Sequence, residues 1–226
     1  MCGRYITPEH GDIERHWNLV PHASYRQNFN TAPTQLVPVI FADDDGNTVL
    51  GAFRWGFQPH WAKRAWINAR SETLFESRAF APAAKKRRCL VPAVGWYEWQ
   101  GSRSPKQPYL FHIDGFTPFA FAGIWTVREE EGESLHNFAI VTRPAIESLE
   151  HLHNRMPVIV RRDEEAAWLS AQTTPERAAA MLGEPEVDVR TYKVSTLVNK
   201  PANNDARCIV PLEQTATDQL NVAPPT

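Results

Sequence analysis

Proline and glycine interrupt this chain so often that few long regular elements fit between them: eighteen Pro and eleven Gly fall within 226 residues. Proline fixes φ and removes a backbone donor, and glycine marks turns, so the sequence reads as many short elements joined by ordered loops. Apolar runs rich in β-branched and aromatic residues predict strands at Leu36–Phe41, Thr48–Trp55, Cys89–Pro92, Tyr109–Ile113, Phe119–Trp125, Phe138–Thr142, Val189–Val194 and Ile209–Pro211. The cluster Asp43 to Asn47 is the turn between the first two, and Asp114-Gly115 is read as a hairpin turn. Helices are expected from Thr7-Pro8-Glu9 to Leu19 with Ile13 and Trp17 facing inward, and from a Ser71 cap to Phe80. Two more are expected, opened by Asp163 (Glu164–Ala171) and by Thr174-Pro175 (to Leu182). The fold class is α+β: one domain over residues 1–212, a mainly antiparallel, barrel-like sheet core and short peripheral helices. Residues 213–226 have little to bury and are expected to be a disordered tail.

With 42% apolar residues and eight Trp, the chain can bury a substantial core. No run approaches the roughly 18 apolar residues of a membrane span, and the first residues lack the apolar region of a signal peptide. Cys2, Cys89 and Cys208 are odd in number and form no C-x-x-C, which points to a reducing cytoplasm and away from disulfides or structural zinc. Net charge is −2, yet the segment Gly51–Pro108 alone carries +8. Trp55, Trp61, Trp66 and Trp96 are interleaved with those cations. Cations along a path with rings between them suit single-stranded nucleic acid; a solvated basic face is the plainer alternative.

Cys2 is the most informative position. Removal of Met1 would leave an α-amine and a thiol on adjacent carbons, with ordinary pKa values near 8 and about 8.5. With an aldehyde the amine gives an imine, and the thiol then closes a thiazolidine ring with the advantage of an intramolecular attack. With an amide, the same residue would be an N-terminal nucleophile of a hydrolase. Glu98 stands among Trp96, Tyr97 and Trp99, where burial would raise its pKa and make it a proton shuttle; a rim glutamate is the alternative. His151 and His153 lie two apart without a convincing third ligand, so a catalytic His beside an anion-binding Arg155 reads better than a metal site. Asn68 and Arg70 precede the Ser71 cap, a placement that suits a phosphate at a helix N-terminus. No cofactor or metal is expected.

The ordered set Met1-Cys-Gly-Arg4, Asn30-Thr-Ala-Pro33, Arg54-Trp-Gly-Phe57 with Pro59 and Trp61, Ile67-Asn-Ala-Arg-Ser-Glu-Thr73, Gly95-Trp-Tyr-Glu-Trp99, Lys106-Gln-Pro-Tyr109, Ile140-Val-Thr142 and His153-Asn-Arg-Met-Pro157 resembles the SOS-response-associated peptidase family. The matches run in the family's order from residue 2 to about residue 212. The resemblance implies a protein that binds single-stranded DNA, with single/double-strand junctions a further target, and becomes covalently attached to abasic sites. It implies catalytic roles for Cys2, Asn68, Glu98 and His153, with Thr142 lining the pocket, and a weak lyase side reaction. It also implies phosphate clamps at Arg4, Arg70, Arg78 and Arg155, and a wedging ring at Trp61, beside which a second ring is either missing or supplied by Trp66. The peptidase of the family's name is read as the exposure of Cys2, by self-processing or by an aminopeptidase. Lys85–Arg88 is read as a solvated loop, with a contact to flanking duplex as the alternative, and nothing in the sequence demands more than a monomer.

Overall fold

The computed structural model describes residues 2–20, 25–101, 106–130, 132–183 and 187–212. In chain order the elements are β1 (Tyr5–Ile6), α1 (His10–Trp17), β2 (Leu36–Ala42), β3 (Thr48–Trp55), β4 (Asn68–Arg70), α2 (Ala81–Lys86) and β5 (Arg88–Ala93). They continue with β6 (Gly95–Gln100), β7 (Gln107–Ile113), β8 (Phe119–Glu130), β9 (Glu133–Pro144), α3 (Glu147–Glu150) and β10 (Arg155–Pro157). The last are β11 (Ile159–Val160), α4 (Glu165–Leu169), α5 (Pro175–Ala180) and β12 (Val189–Lys193). The fold is α+β. Strands β3, β2, β5, β8 and β9 close into a barrel, because β9 pairs both with β8 and, in parallel, with β3. A second sheet, ordered β1-β6-β7-β12, is antiparallel throughout.

Both faces of the wall are buried along β5, the first half of β8 and the second half of β9, which explains why these read as apolar runs without polar alternation; β3 is more open, with Ala52 exposed. On β9, Phe138 and Ile140 join the cluster inside the barrel, while Ala139 and Val141 face an outer layer that includes Trp168 and Leu169 of α4. On β5, Cys89 and Val91 point in and Leu90 points out. Side chains on a strand alternate, so a one-residue slip would exchange the two sets. Gly123 has no freedom to be larger: a Cβ there would lie 2.7 Å from Cys89 Sγ. Tyr5 and Trp96, from the second sheet, reach the barrel interior, with Tyr5 edge-on to Trp55 at 5.2 Å and Trp96 edge-on to Phe121 at 5.9 Å. Each such ring contributes about 1.5–3 kcal/mol by leaving water.

Several local expectations are corrected. Helix α1 starts at His10, because Thr7 Oγ1 accepts from Asn28 N (2.8 Å) and is not a cap. Ser71 opens only a single 3-10 turn, Ser71–Thr73, and its hydroxyl donates to Glu72; the helix begins ten residues later at Ala81. The phosphate site at a helix N-terminus therefore has no helix behind it. Asp163 lies inside a 3-10 turn, Arg162–Glu164, and α4 begins after it. Asp114-Gly115 is a 3-10 turn that carries the chain from one sheet to the other, not a hairpin. Cys208 and Ile209 end another such turn, with Pro211 making one isolated bridge to Val194. Thr174 does cap α5, accepting from Arg177 N. The expected tail at 213–226 lies outside the described residues.

Lys85–Arg88 is not a solvated loop. Arg88 is 2% exposed, and its guanidinium donates to the carbonyls of Trp168 (2.6 Å), Ala84 (2.7 Å), Lys85 (3.0 Å), Thr173 (3.4 Å) and Ser170. A rigid five-donor fork is what lets one charge satisfy so many carbonyls at once. Arg88 thus ties α2, β5 and the end of α4 together, while Lys85 and Lys86 remain exposed.

Candidate functional site

The junction of the second sheet with β4, β9 and β10 gathers the polar residues that the apolar core cannot explain. Cys2 leads into β1, whose Tyr5 lies opposite Trp96, and this places Cys2 near the Glu98 end of β6. Asn68 opens β4, where Arg70 lies opposite Thr142 of β9. His153 follows α3 and immediately precedes β10, which pairs with the same end of β9.

Cys2 is fully buried, and Asn68 Nδ2 donates to its carbonyl at 2.9 Å. The other amide atom, Asn68 Oδ1, is buried with no partner among the described residues. Burial pushes the Cys2 thiol well above its ordinary pKa, and the charge of Glu98 pushes it the same way. The ready supply of thiolate expected from a free cysteine is therefore absent: this sulfur needs a base at the moment of reaction.

Glu98 is 3% exposed, and burial lifts its carboxyl to about 7. A group titrating there both accepts and returns protons at neutral pH. Its Oε2 lies 3.6 Å from His153 Nε2, longer than a hydrogen bond but close enough for a proton to pass when the groups tighten. Burial lowers the His153 pKa, its backbone hydrogen bond to Arg155 works the other way, and the nearby Lys106 and Arg155 cations lower it further. His153 Nδ1 lies 2.9 Å from the carbonyl oxygen of Arg155. The Arg155 N–H also points at Nδ1, 3.1 Å away, so Nδ1 donates to the carbonyl in one tautomer and accepts from the N–H in the other, and Nε2 faces Glu98 in both.

Arg155 continues the network. Its Nη2 donates to Thr142 O (2.6 Å), to Thr142 Oγ1 (3.3 Å) and to Glu72 Oε2 (2.9 Å), while Nη1 meets Glu72 Oε1. This two-pronged contact holds Glu72 down at about 2. Asn68 thus holds Cys2, whose thiol feels the Glu98 charge, and Glu98 faces His153, whose loop leads on to Arg155 and Thr142. Arg70 is exposed beside it and has no ion pair or side-chain hydrogen bond among the described residues.

Trp61, Arg78 and Trp66 stand apart from these residues, and Arg4 touches them through its backbone oxygen, 4.0 Å from Cys2 Sγ. Trp61, 55% exposed, shares an open groove with Ser77, Arg78 and Ala79. Trp66 stands 5.9 Å from Trp61, so the second ring is there. Arg4 departs from its expected place on a phosphate: it donates to Asn30 Oδ1 (2.8 Å), Val198 O (2.8 Å) and Asn199 O (3.1 Å). It ties the start of the domain to its end.

Two residues without a role in the sequence reading also bear on the site. Glu72 entered there only as part of the segment Ile67–Thr73. Gln100 donates to His151 O (3.0 Å) and accepts from Tyr109 OH (3.2 Å), which fastens the His153 loop to the strand carrying Glu98. The only signal for either was a polar residue inside a matched motif or at its border. No three His, Cys, Asp or Glu side chains come together as a metal cluster among the described residues, and no described helix is long and apolar enough to cross a membrane.

Comparison with known proteins agrees with this arrangement of segments. Abasic site processing protein YoqW of Bacillus subtilis is 36% identical over 222 residues, covering 92% of this chain and 99% of the relative. Abasic site processing protein HMCES of Gallus gallus is 31% identical over 226 residues, covering 84% of this chain and 67% of the relative. A crystal structure of a protein from Bacteroides thetaiotaomicron superposes with a TM-score of 0.81 at 21% identity, covering 93% of this chain and 99% of that one. A phage-related protein of Bordetella bronchiseptica gives 0.71 at 31% identity, covering 85% and 94%. The family model described as SOS response associated peptidase matches residues 1–201, and the chain belongs to that family.

Proposed function

We propose that this chain processes abasic sites in single-stranded DNA by capturing them covalently on Cys2. The observation that carries this reading is a buried cysteine held at its carbonyl by Asn68 and acted on by the charge of a buried carboxyl at about 7, which has an imidazole 3.6 Å away. The printed names of its relatives, abasic site processing proteins, support the same substrate.

The chemistry follows from the groups. An abasic deoxyribose opens to an aldehyde at C1′, assisted by His153 at the sugar ring. Once Met1 is removed, the Cys2 amine loses a proton to the Glu98 carboxylate and attacks C1′. Glu98 returns the proton to the departing hydroxyl, so that one water leaves and an imine forms. Sγ then adds to C1′ as Glu98 carries the thiol proton to the imine nitrogen, and the ring closes. Overall one C–N and one C–S bond form at C1′ and one water is lost. Asn68 fixes the Cys2 carbonyl and offers Oδ1 to the amine N–H. Reversal uses the same groups, and elimination from the open imine accounts for weak lyase activity.

Arg70, Arg78 and Arg155 supply the phosphate contacts, and Trp61 the ring on which a base stacks. Arg4 is removed from that set by its three bonds within the protein. The test is a denaturing gel of the protein incubated with single-stranded oligonucleotides with or without an abasic site. A heat-stable shifted band is expected with the lesion alone, and none from Cys2→Ala. A band that survives Cys2→Ala would assign the attachment to another nucleophile.

A further inference from the structure

We propose that Glu72 occupies, in the free protein, the seat that a DNA phosphate takes on Arg155, and so sets how weakly intact strand is held. The inference rests on the reading above that the chain binds single-stranded DNA. Arg155 is deeply placed, its side chain 13% exposed, whereas the Glu72 side chain is 44% exposed and free to swing into solvent. Both prongs of the guanidinium face that carboxylate, the geometry in which arginine also takes a phosphate. With its carboxyl at about 2, Glu72 is charged at every pH at which the protein works. A phosphate arriving at Arg155 therefore displaces an anion already in place.

One more polar atom points the same way. Arg155 Nε is buried with no partner among the described residues, so the Glu72 carboxylate does not satisfy the whole guanidinium. Across the sheet, Arg70 lies opposite Thr142, the residue whose carbonyl Arg155 grips, so an incoming backbone meets an open cation before the occupied one. Displacing Glu72 taxes intact and damaged strand alike. Only the damaged strand recovers the loss, because its covalent bond holds it after the contact is made. Glu72 thereby makes retention depend on the lesion.

The experiment uses the full chain and an unmodified single-stranded oligonucleotide, with affinity read by fluorescence anisotropy over a salt series. Glu72→Gln keeps the shape and removes the charge. It is expected to bind roughly three- to fivefold tighter, and its salt dependence to steepen by about 0.7 in log–log slope. In an Arg155→Gln background the same change gives no gain. Glu72→Asp, which keeps the charge but pulls it back from Arg155, falls between wild type and Glu72→Gln. It also serves as the test if Glu72→Gln fails to fold by near-ultraviolet circular dichroism. A folded Glu72→Gln with wild-type affinity and slope, or a Glu72→Asp that binds more weakly than wild type, overturns the proposal while leaving capture at Cys2 intact. Failure of the wild type itself to bind the strand at low salt overturns both.

Discussion

Cys2 and Glu98 are 0% and 3% exposed, whereas Arg70 and Arg78 face solvent and Trp61 is 55% exposed. The two groups come from different stretches of sequence, and their surroundings give them opposite physics. In the buried group, loss of water moves pKa values: the thiol goes up, the carboxyl goes to about 7 and the imidazole goes down. In the exposed group water screens each charge, so a cation there contributes binding and little else. Changes to the pocket should therefore alter rates, and changes to the outer cations should alter affinity.

The largest expected effect separates the two bonds at C1′. Cys2→Ser keeps the amine and loses the thiol, so the heat-stable adduct disappears from denaturing gels while borohydride still traps an imine. Next is Glu98→Gln. Crosslinking at saturating DNA should slow by about 100-fold or more, with strand affinity unchanged by anisotropy. Ionisation of Glu98 is needed to accept the amine proton, so the wild-type rate rises with pH to about 7 and flattens, and the variant lacks that limb. Stability carries the same signature. A carboxyl raised in the folded state binds protons more tightly there than when unfolded. Wild type should thus lose stability as pH rises from about 4.5 to about 7, by roughly 3 kcal/mol, and denaturant titrations of Glu98→Gln should lack that loss.

Arg70→Ala belongs to the other side of the comparison. It should weaken strand binding a few-fold and make the salt slope shallower by about 0.7, with the rate at saturation unchanged. The smallest effects come from the second basic run. Lys85→Ala should leave both affinity and rate at wild-type values. If it weakens binding as much as Arg70→Ala, the exposed cations act as a general field and the distinction between the two runs is lost.

That second run also shows what a sequence can reveal and what it cannot. Lys85, Lys86, Arg87 and Arg88 look alike on paper, yet Arg88 is enclosed by five carbonyls contributed by residues 84, 85, 168, 170 and 173. No local pattern encodes an enclosure assembled from such distant segments. Arg4 is the same case, since its partners Val198 and Asn199 lie nearly two hundred residues away. Strands were legible as continuous apolar runs, through burial on both faces in β5 and through β-branched and aromatic residues in the more open β3, and β2, β3 and β5 lie within two residues of where those runs place them. Helix starts were less legible: Ser71, Thr7 and Asp163 are good caps chemically, but each side chain or turn is taken up by a neighbour. Within the site, Cys2, Glu98 and His153 were visible as polar residues in apolar or motif settings. The contact of Glu72 with Arg155 was not, because a salt bridge across 83 residues leaves no trace in spacing.

The central claim is that the amine and the thiol of one residue, Cys2, are both consumed at C1′. Mass spectrometry of the protease-digested adduct with an abasic oligonucleotide tests it directly. The account predicts a linked peptide that begins at Cys2, lacks Met1, weighs the sum of peptide and oligonucleotide less one water, and is unchanged by borohydride. A linked peptide that retains Met1, or a linkage at a lysine that borohydride reduces, contradicts it.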